Sequence, residues 1–222
     1  MDRKYAIFDM DGTLVDSMAY WQDVALEYLD SRGIAKELQT PELMERIKTQ
    51  TAPDTAALFK ELFGIEESIP SIVAQVNRFM ALHYQHDIRL KPGVEGYLKM
   101  LCGEGVHMCV ASATTSSLID ACLTRLGARR YFDFLISCED VGKSKTHPDV
   151  YLEAARRLGA STPQEVAVFE DSIVAAKTAE GAGFYVVGVY DACSDEDWQE
   201  LQQVSDETIT DWSAAIDHSI SR

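Results

Sequence analysis

Tyr5-Ala6-Ile7-Phe8-Asp9-Met10-Asp11-Gly12-Thr13-Leu14 is the stretch that decides the fold. Its first residues, with Lys4 ahead of them, form a short apolar run with a β-former at its centre. Two acids and a glycine then break the run, which is the pattern of a buried strand entering a loop. Working outward, similar runs end in polar clusters. Residues 107–111 lead into Ser112-Ala113-Thr114, residues 134–137 are followed by Lys143-Ser144-Lys145, and residues 166–169 lead into Glu170-Asp171-Ser172. Helical spacing fills the intervals at 94–101, 115–126, 148–158 and 173–180. A further strand is expected at 184–189, and an apolar pair within 208–212 reads as an edge strand.

Strand–helix alternation of this kind argues a parallel sheet with helices on both faces. The expected fold class is α/β, a Rossmann-like doubly wound parallel sheet, with a small all-helical insert after the first strand. Strand signals vanish between residues 17 and 84. Trp21, Ala25, Tyr28 and Leu29 recur at helical spacing up to Gly33, and Pro41 opens a second helix through Leu43, Met44 and Ile47. Asp54 caps a third carrying Ala57, Leu58, Leu62 and Phe63, closed by Gly64. Ser71 starts a fourth with Ile72, Val76, Phe79, Met80 and Tyr84. Pro92-Gly93 marks the return to alternation. Residues 1–15 and 88–222 are assigned to the α/β core and 16–87 to the helical domain.

The chain has 222 residues, one full core plus a smaller insert on a prior of about 150 residues per domain. There are 36 acidic residues against 20 Lys plus Arg, a formal net charge of −16. Phosphate neutralisation supplies most non-specific nucleic-acid affinity, so this balance disfavours nucleic acid and anionic membrane surfaces as partners. Five cysteines, an odd number with no C-x-x-C, read as reduced thiols in a cytoplasmic protein. The apolar stretch before Asp9 is too short for a signal peptide, and no run approaches a spanning helix.

Ligands of open parallel sheets bind beyond the C-terminal ends of the strands. Asp9, Asp11, Glu170 and Asp171 would share that crevice with Ser112 and a lysine, and four carboxylates there repel one another unless a cation neutralises them. Oxygen-only ligands favour Mg²⁺. Taken singly, Asp-x-Asp reads as a turn with solvated acids, Glu170-Asp171-Ser172 as a helix N-terminus, Ser112 as a helix cap and Lys145 as a surface residue. Their coincidence at strand ends, in this order, favours a functional site.

The stretch from Phe8 to Ser17 resembles the first motif of the haloacid dehalogenase-like superfamily. Ala111-Ser112 resembles the second, Lys145-Thr146-His147-Pro148-Asp149-Val150-Tyr151 the third, and Phe169-Glu170-Asp171-Ser172 the fourth. The helical insert is similar to the cap of the subgroup containing β-phosphoglucomutase and phosphoglycolate phosphatase. The resemblance implies that Asp9 is a nucleophile forming an aspartyl-phosphate and that Asp11 is the general acid, then base. It implies that Thr13 braces the loop, that Ser112 and Ala113 meet the phosphoryl group, and that Lys145 offsets its charge. Asp9, the Asp11 carbonyl and Asp171 would hold Mg²⁺, with Glu170 a ligand or a support. Lys145 matches the family position through Pro148-Asp149, although Thr146 replaces the usual proline; Lys143 is held in reserve. Gly142-Lys143-Ser144 is not a P-loop, because Ser137 stands where the first glycine is required.

Asp11 favours phosphate monoesters over dehalogenation and phosphonate cleavage, neither of which protonates an alkoxide. Trp21 stands where β-phosphoglucomutase-like proteins carry a histidine, and the stretch from Lys48 to Asp54 lacks their arginine. A phosphatase acting on a small phosphorylated metabolite is therefore expected, with a phosphosugar mutase and a non-catalytic phospho-ligand or protein-binding member as alternatives. Tyr20, Trp21, Lys48 and Gln50 are candidate substrate contacts, although Trp21 reads equally as a core aromatic and Lys48 as a solvated lysine. His83 and His86 have a chelating spacing but no third ligand, which favours a solvated face or hinge packing. Linkers around 15–17 and 86–92 would let the cap open and close. The expected state is a monomer or weak dimer.

Overall fold

The computed structural model describes residues 3–38, 40, 42–43, 46–47 and 52–220. The chain divides into two compact units, Met1–Met18 with Ile88–Arg222, and Ala19–Asp87. The larger unit holds β1 (Tyr5–Phe8), β2 (His107–Ser112), β3 (Phe134–Ser137), β4 (Val166–Glu170), β5 (Tyr185–Val189) and β6 (Glu207–Ile209). They form one sheet in the order β3-β2-β1-β4-β5-β6, and every pairing is parallel. Such strands are buried on both faces, so their sequences are near-continuous apolar runs. Ala6, Ile7 and Phe8 are completely buried.

Phe8 lies opposite Val110 on one side and Phe169 on the other. The chain proceeds from β1 outward through β2 and β3, then crosses back to β4. That reversal makes the C-terminal end of β1 the switch point of the sheet, where doubly wound folds open a crevice. One sheet face is aromatic: Phe8 stacks on Phe169 with centroids 4.2 Å apart, and Tyr97 and Trp212 pack around them. The main apolar cluster gathers Ile7, Cys109, Ile136 and Val168 with Val150, Tyr151 and Ala154.

The expected edge strand is three residues long, and Trp212 is not part of it. Trp212 instead opens a helix, Trp212–Ile220, because Asp211 Oδ1 accepts the backbone N–H groups of Ser213 and Ala214 in the manner of an N-cap. A short helix at Trp198–Val204 also follows the acidic residues Asp195, Glu196 and Asp197.

The smaller unit contains α1 (Met18–Ser31, entering from the sheet unit), α2 (Ala52–Phe63) and α3 (Ile69–His86), and α4 (Val94–Gly103) and α5 (Ser116–Arg125) follow in the larger unit. Tyr28 and Phe59 stack at 5.9 Å in a core with Leu29, Leu43, Ala56 and Ile72. Two expected starts shift. α2 begins at Ala52, leaving Asp54 in its first turn, where a carboxylate favours the helix dipole. α3 begins at Ile69 because Ser68, not Ser71, is the N-cap, its side chain accepting from Ser71 N. Pro41 and Met44, on the expected second helix, lie outside the described residues. Lys60 Nζ secures the following turn by donating to the carbonyls of Ile65, Glu66 and Glu67.

The two connections meet within the sheet unit. Asp16 N donates to Arg89 O at 2.9 Å and Lys91 N to Leu14 O at 3.0 Å, so Val15 and Leu90 pair antiparallel. No described helix is long and apolar enough to cross a membrane.

Candidate active site

Asp9 continues β1 beyond its last ladder residue, with its N–H on Phe169 O at 2.9 Å. The chain then folds back in a tight loop, Leu14 N and Val15 N both bonding to Met10 O. Gly12 sits in the loop with φ +77°, and a Cβ there would stand 2.2 Å from Asp171 Oδ2. Only glycine meets both conditions, the left-handed backbone and the close approach. Thr13, fully buried, donates to Asp171 Oδ1 at 3.1 Å and ties the loop to the end of β4.

Asp9, Glu170 and Asp171 are buried, and each offers a carboxylate oxygen lying within 4.8 Å of the others. Lys145 precedes α7 (Asp149–Leu158) in the turn following α6 (Cys138–Val141), a single helical turn stapled by the Ser137–Asp140 capping box. Its Nζ donates to both Asp9 Oδ1 and Glu170 Oε1. Lys145, not Lys143, reaches the acids; Lys143 is exposed. Tyr151 of α7 donates to the same Glu170 oxygen at 2.7 Å.

Three carboxylates facing one ammonium leave an excess of negative charge in a buried place. Burial pushes Asp9 well above the usual carboxylate range; Lys145 opposes this, and Glu170, Asp171 and Asp11 add to it. Burial and then Glu170 push Asp171 up to about 7. Burial alone would lower Lys145, but Asp9 and Glu170 hold it above its ordinary value and keep it an ammonium. An all-oxygen cluster in this electrostatic state suits a hard divalent cation.

The Asp11 carboxylate lies outside that cluster. Its Oδ1 accepts the Ser17 hydroxyl at 2.7 Å and its Oδ2 the Thr114 hydroxyl at 2.8 Å. Ser112 ends β2, almost fully buried, its Oγ accepting Thr114 N at 3.1 Å, while Ala113 is exposed in the turn beyond. The fold thus brings together Asp9, Glu170, Asp171 and Lys145, with Asp11 and Thr13 on the loop after β1 and Ser112 at the end of β2. On the helical unit, Trp21 Nε1 donates to Tyr84 OH at 3.1 Å and Tyr20 packs on the His83 ring. Lys48 and Gln50 lie outside the described residues. His83 pairs with Glu27 and Asp87, each within 3 Å of a different ring nitrogen.

Ser17, Thr114 and Tyr151 received no role from the sequence. Ser17 and Tyr151 stand inside the quoted motifs and Thr114 just past a strand end, but what each touches lies 6, 19 and 103 residues away for Ser17, Tyr151 and Thr114. No local pattern encodes such pairings.

This sheet, with an acid-bearing loop after its first strand and a lysine shared by two acids, defines a hydrolase class. The family model described as haloacid dehalogenase-like hydrolase matches residues 6–189, and the chain belongs to that family. It is accordingly an enzyme, a haloacid dehalogenase-like hydrolase of phosphoric monoesters.

Among its relatives is the phosphorylated carbohydrates phosphatase of Thermotoga maritima, 26% identical over 85% of this chain and 86% of that one. Hexitol phosphatase B of Escherichia coli K12 is 30% identical over 78% of this chain and 79% of its own. A solved structure from Thermotoga maritima, presented as a candidate β-phosphoglucomutase, superposes with a TM-score of 0.81 at 23% identity. It covers 97% of this chain and 99% of that one.

Proposed function

We propose that this chain is a Mg²⁺-dependent phosphatase that hydrolyses a small, sugar-phosphate-like monoester through an aspartyl-phosphate on Asp9. The observation that carries the reading is the buried cluster of Asp9, Glu170 and Asp171 with Lys145 shared between two of its acids. Asp9, Glu170 and Asp171, with the Asp11 carbonyl, would hold Mg²⁺. Bound there, the cation would stabilise charge on the transferring phosphoryl group.

Lys145 offsets charge on Asp9 and draws the phosphoryl oxygens toward it. An Asp9 oxygen attacks phosphorus and the ester P–O bond breaks. Asp11, exchanging its Ser17 and Thr114 partners for the leaving oxygen, delivers the proton that oxygen needs. Water then attacks the phosphoryl group, its proton passes to Asp11, and the bond to Asp9 breaks with release of phosphate. Ser112 donates to a phosphoryl oxygen throughout. Two relatives bearing phosphorylated-carbohydrate and hexitol phosphatase names support a polyol or sugar phosphate as substrate. Five free thiols support a cytoplasmic setting.

The test is release of inorganic phosphate from phosphorylated hexitols, hexoses, pentoses and glycerol, with Mg²⁺, with EDTA, and with Asp9→Asn. Metal-dependent release that disappears in the variant is expected. Isomerisation of a hexose phosphate without net phosphate release would replace the phosphatase by a mutase. Inactivity of the folded, metal-bound protein on every compound would overturn the reading.

A further inference from the structure

Glu170 is more deeply buried than either of its neighbouring acids, and one of its oxygens carries two donors. Oε1 accepts the Lys145 ammonium and the Tyr151 hydroxyl, the latter at 2.7 Å. Tyr151 is completely enclosed, its ring packed edge-on against Phe184 and its face 5.8 Å from Lys145 Nζ. Asp171 is held in a parallel way, because Thr13 donates to its Oδ1 while Oδ2 lies against Gly12. In both acids a hydroxyl from elsewhere in the fold fixes one oxygen and so sets the direction of the other.

We propose that Tyr151 is a positioning residue that fixes the Glu170 carboxylate so that one oxygen anchors Lys145 and the other is turned to the cation. This rests on the metal site proposed above. A carboxylate held by Lys145 alone keeps its attraction to the ammonium but loses its rotational definition, since the long lysine stem can follow either oxygen. The phenol removes that freedom, because its ring is completely buried and packed against Phe184 while its hydroxyl meets Glu170. Groups that orient metal ligands in this way are worth roughly 10–100-fold in metal affinity.

The experiment is Mg²⁺ binding to full-length wild type and Tyr151→Phe by calorimetry, alongside melting of both without metal and steady-state kinetics across Mg²⁺ concentration. The phenylalanine keeps the ring and its packing and deletes the hydroxyl alone. The expected result is a Mg²⁺ Kd weakened about 10–100-fold, with substrate KM unchanged and most of kcat recovered at saturating Mg²⁺. The metal-free melting point should stay within a few degrees. A Kd within twofold of wild type overturns the role of Tyr151 and leaves the metal site standing. A variant that fails to fold, or melts far below wild type with Mg²⁺ affinity intact, assigns Tyr151 to packing and also overturns it. Failure of wild type itself to bind Mg²⁺ overturns the metal site and this inference together.

Discussion

Replacing Gly12 by alanine is a one-carbon perturbation aimed at the acid cluster. The added Cβ would stand 2.2 Å from Asp171 Oδ2 and 2.7 Å from its Cγ, against ordinary contact of 3.4–4 Å. Relief requires the carboxylate or the loop to move by about 1 Å, the scale on which catalytic alignment loses about 100-fold. The backbone adds to this, since φ is +77° and an L-residue in left-handed conformation costs about 1–2 kcal/mol. Overpacking of a filled site costs about 1–3 kcal/mol more. Together these predict a loss of roughly 2–5 kcal/mol, or about 4–20 °C in Tm for a chain of this size. Calorimetric melting, Mg²⁺ titration and phosphate release on Gly12→Ala measure the three effects. The Mg²⁺ Kd should weaken at least about tenfold, and turnover should fall about 100-fold. A variant that melts and binds Mg²⁺ like wild type would refute the claim that Gly12 is required by the approach of Asp171.

Ser112→Ala should lower kcat/KM about 100-fold, because it removes a hydrogen-bond donor to developing charge. It should also cost about 1–3 kcal/mol in calorimetric melting, because the buried Thr114 N–H loses the Ser112 acceptor; unchanged kcat/KM would contradict the role. Metal-free Asp171 is pushed up to about 7, so Mg²⁺ binding at pH 6 should release a proton from it and weaken by up to about tenfold per unit below pH 7. Calorimetry in buffers of different ionisation heat counts that proton, and a result independent of buffer would contradict the prediction. Burial opposes protonation of His83, but its bonds to Asp87 and Glu27 outweigh burial and raise it. The stability those bonds confer is therefore full below the unfolded value of about 6.5 and is lost as pH rises through the higher folded one. The melting difference between wild type and His83→Gln should correspond to about 1–2 kcal/mol at pH 5.5 and shrink toward pH 8.5; a difference that grows with pH would contradict this sign.

The sheet was legible because parallel strands buried on both faces must be apolar throughout and must end abruptly where the crevice begins. Phe8-Asp9 and Phe169-Glu170 record that boundary in one residue step. Trp212 departs from the expected edge strand and opens a helix. Its aromatic ring and the β-branched Thr208-Ile209-Thr210 before it favour extension, but the Asp211 side chain caps two backbone N–H groups and turns the chain into a helix. Ser68 and Ser71 illustrate the same competition, since either can cap a helix and only packing selects one. The hydroxyls were the least legible part of the site. Thr114 and Tyr151 are ordinary residues of a loop and a helix until the sheet brings β1 and β4 beside them.

The pairing of Val15 with Leu90 has a consequence for how such proteins diversify. The segment between them leaves and re-enters the sheet unit at two points already joined by backbone hydrogen bonds. Closing a loop whose ends are fixed together costs an entropy that grows only as the logarithm of its length, about 0.6 kcal/mol per doubling. The sheet and its acids are therefore nearly indifferent to how many residues that segment contains. Segments of different length and composition can be exchanged at this ribbon while Asp9 and Lys145 keep their places.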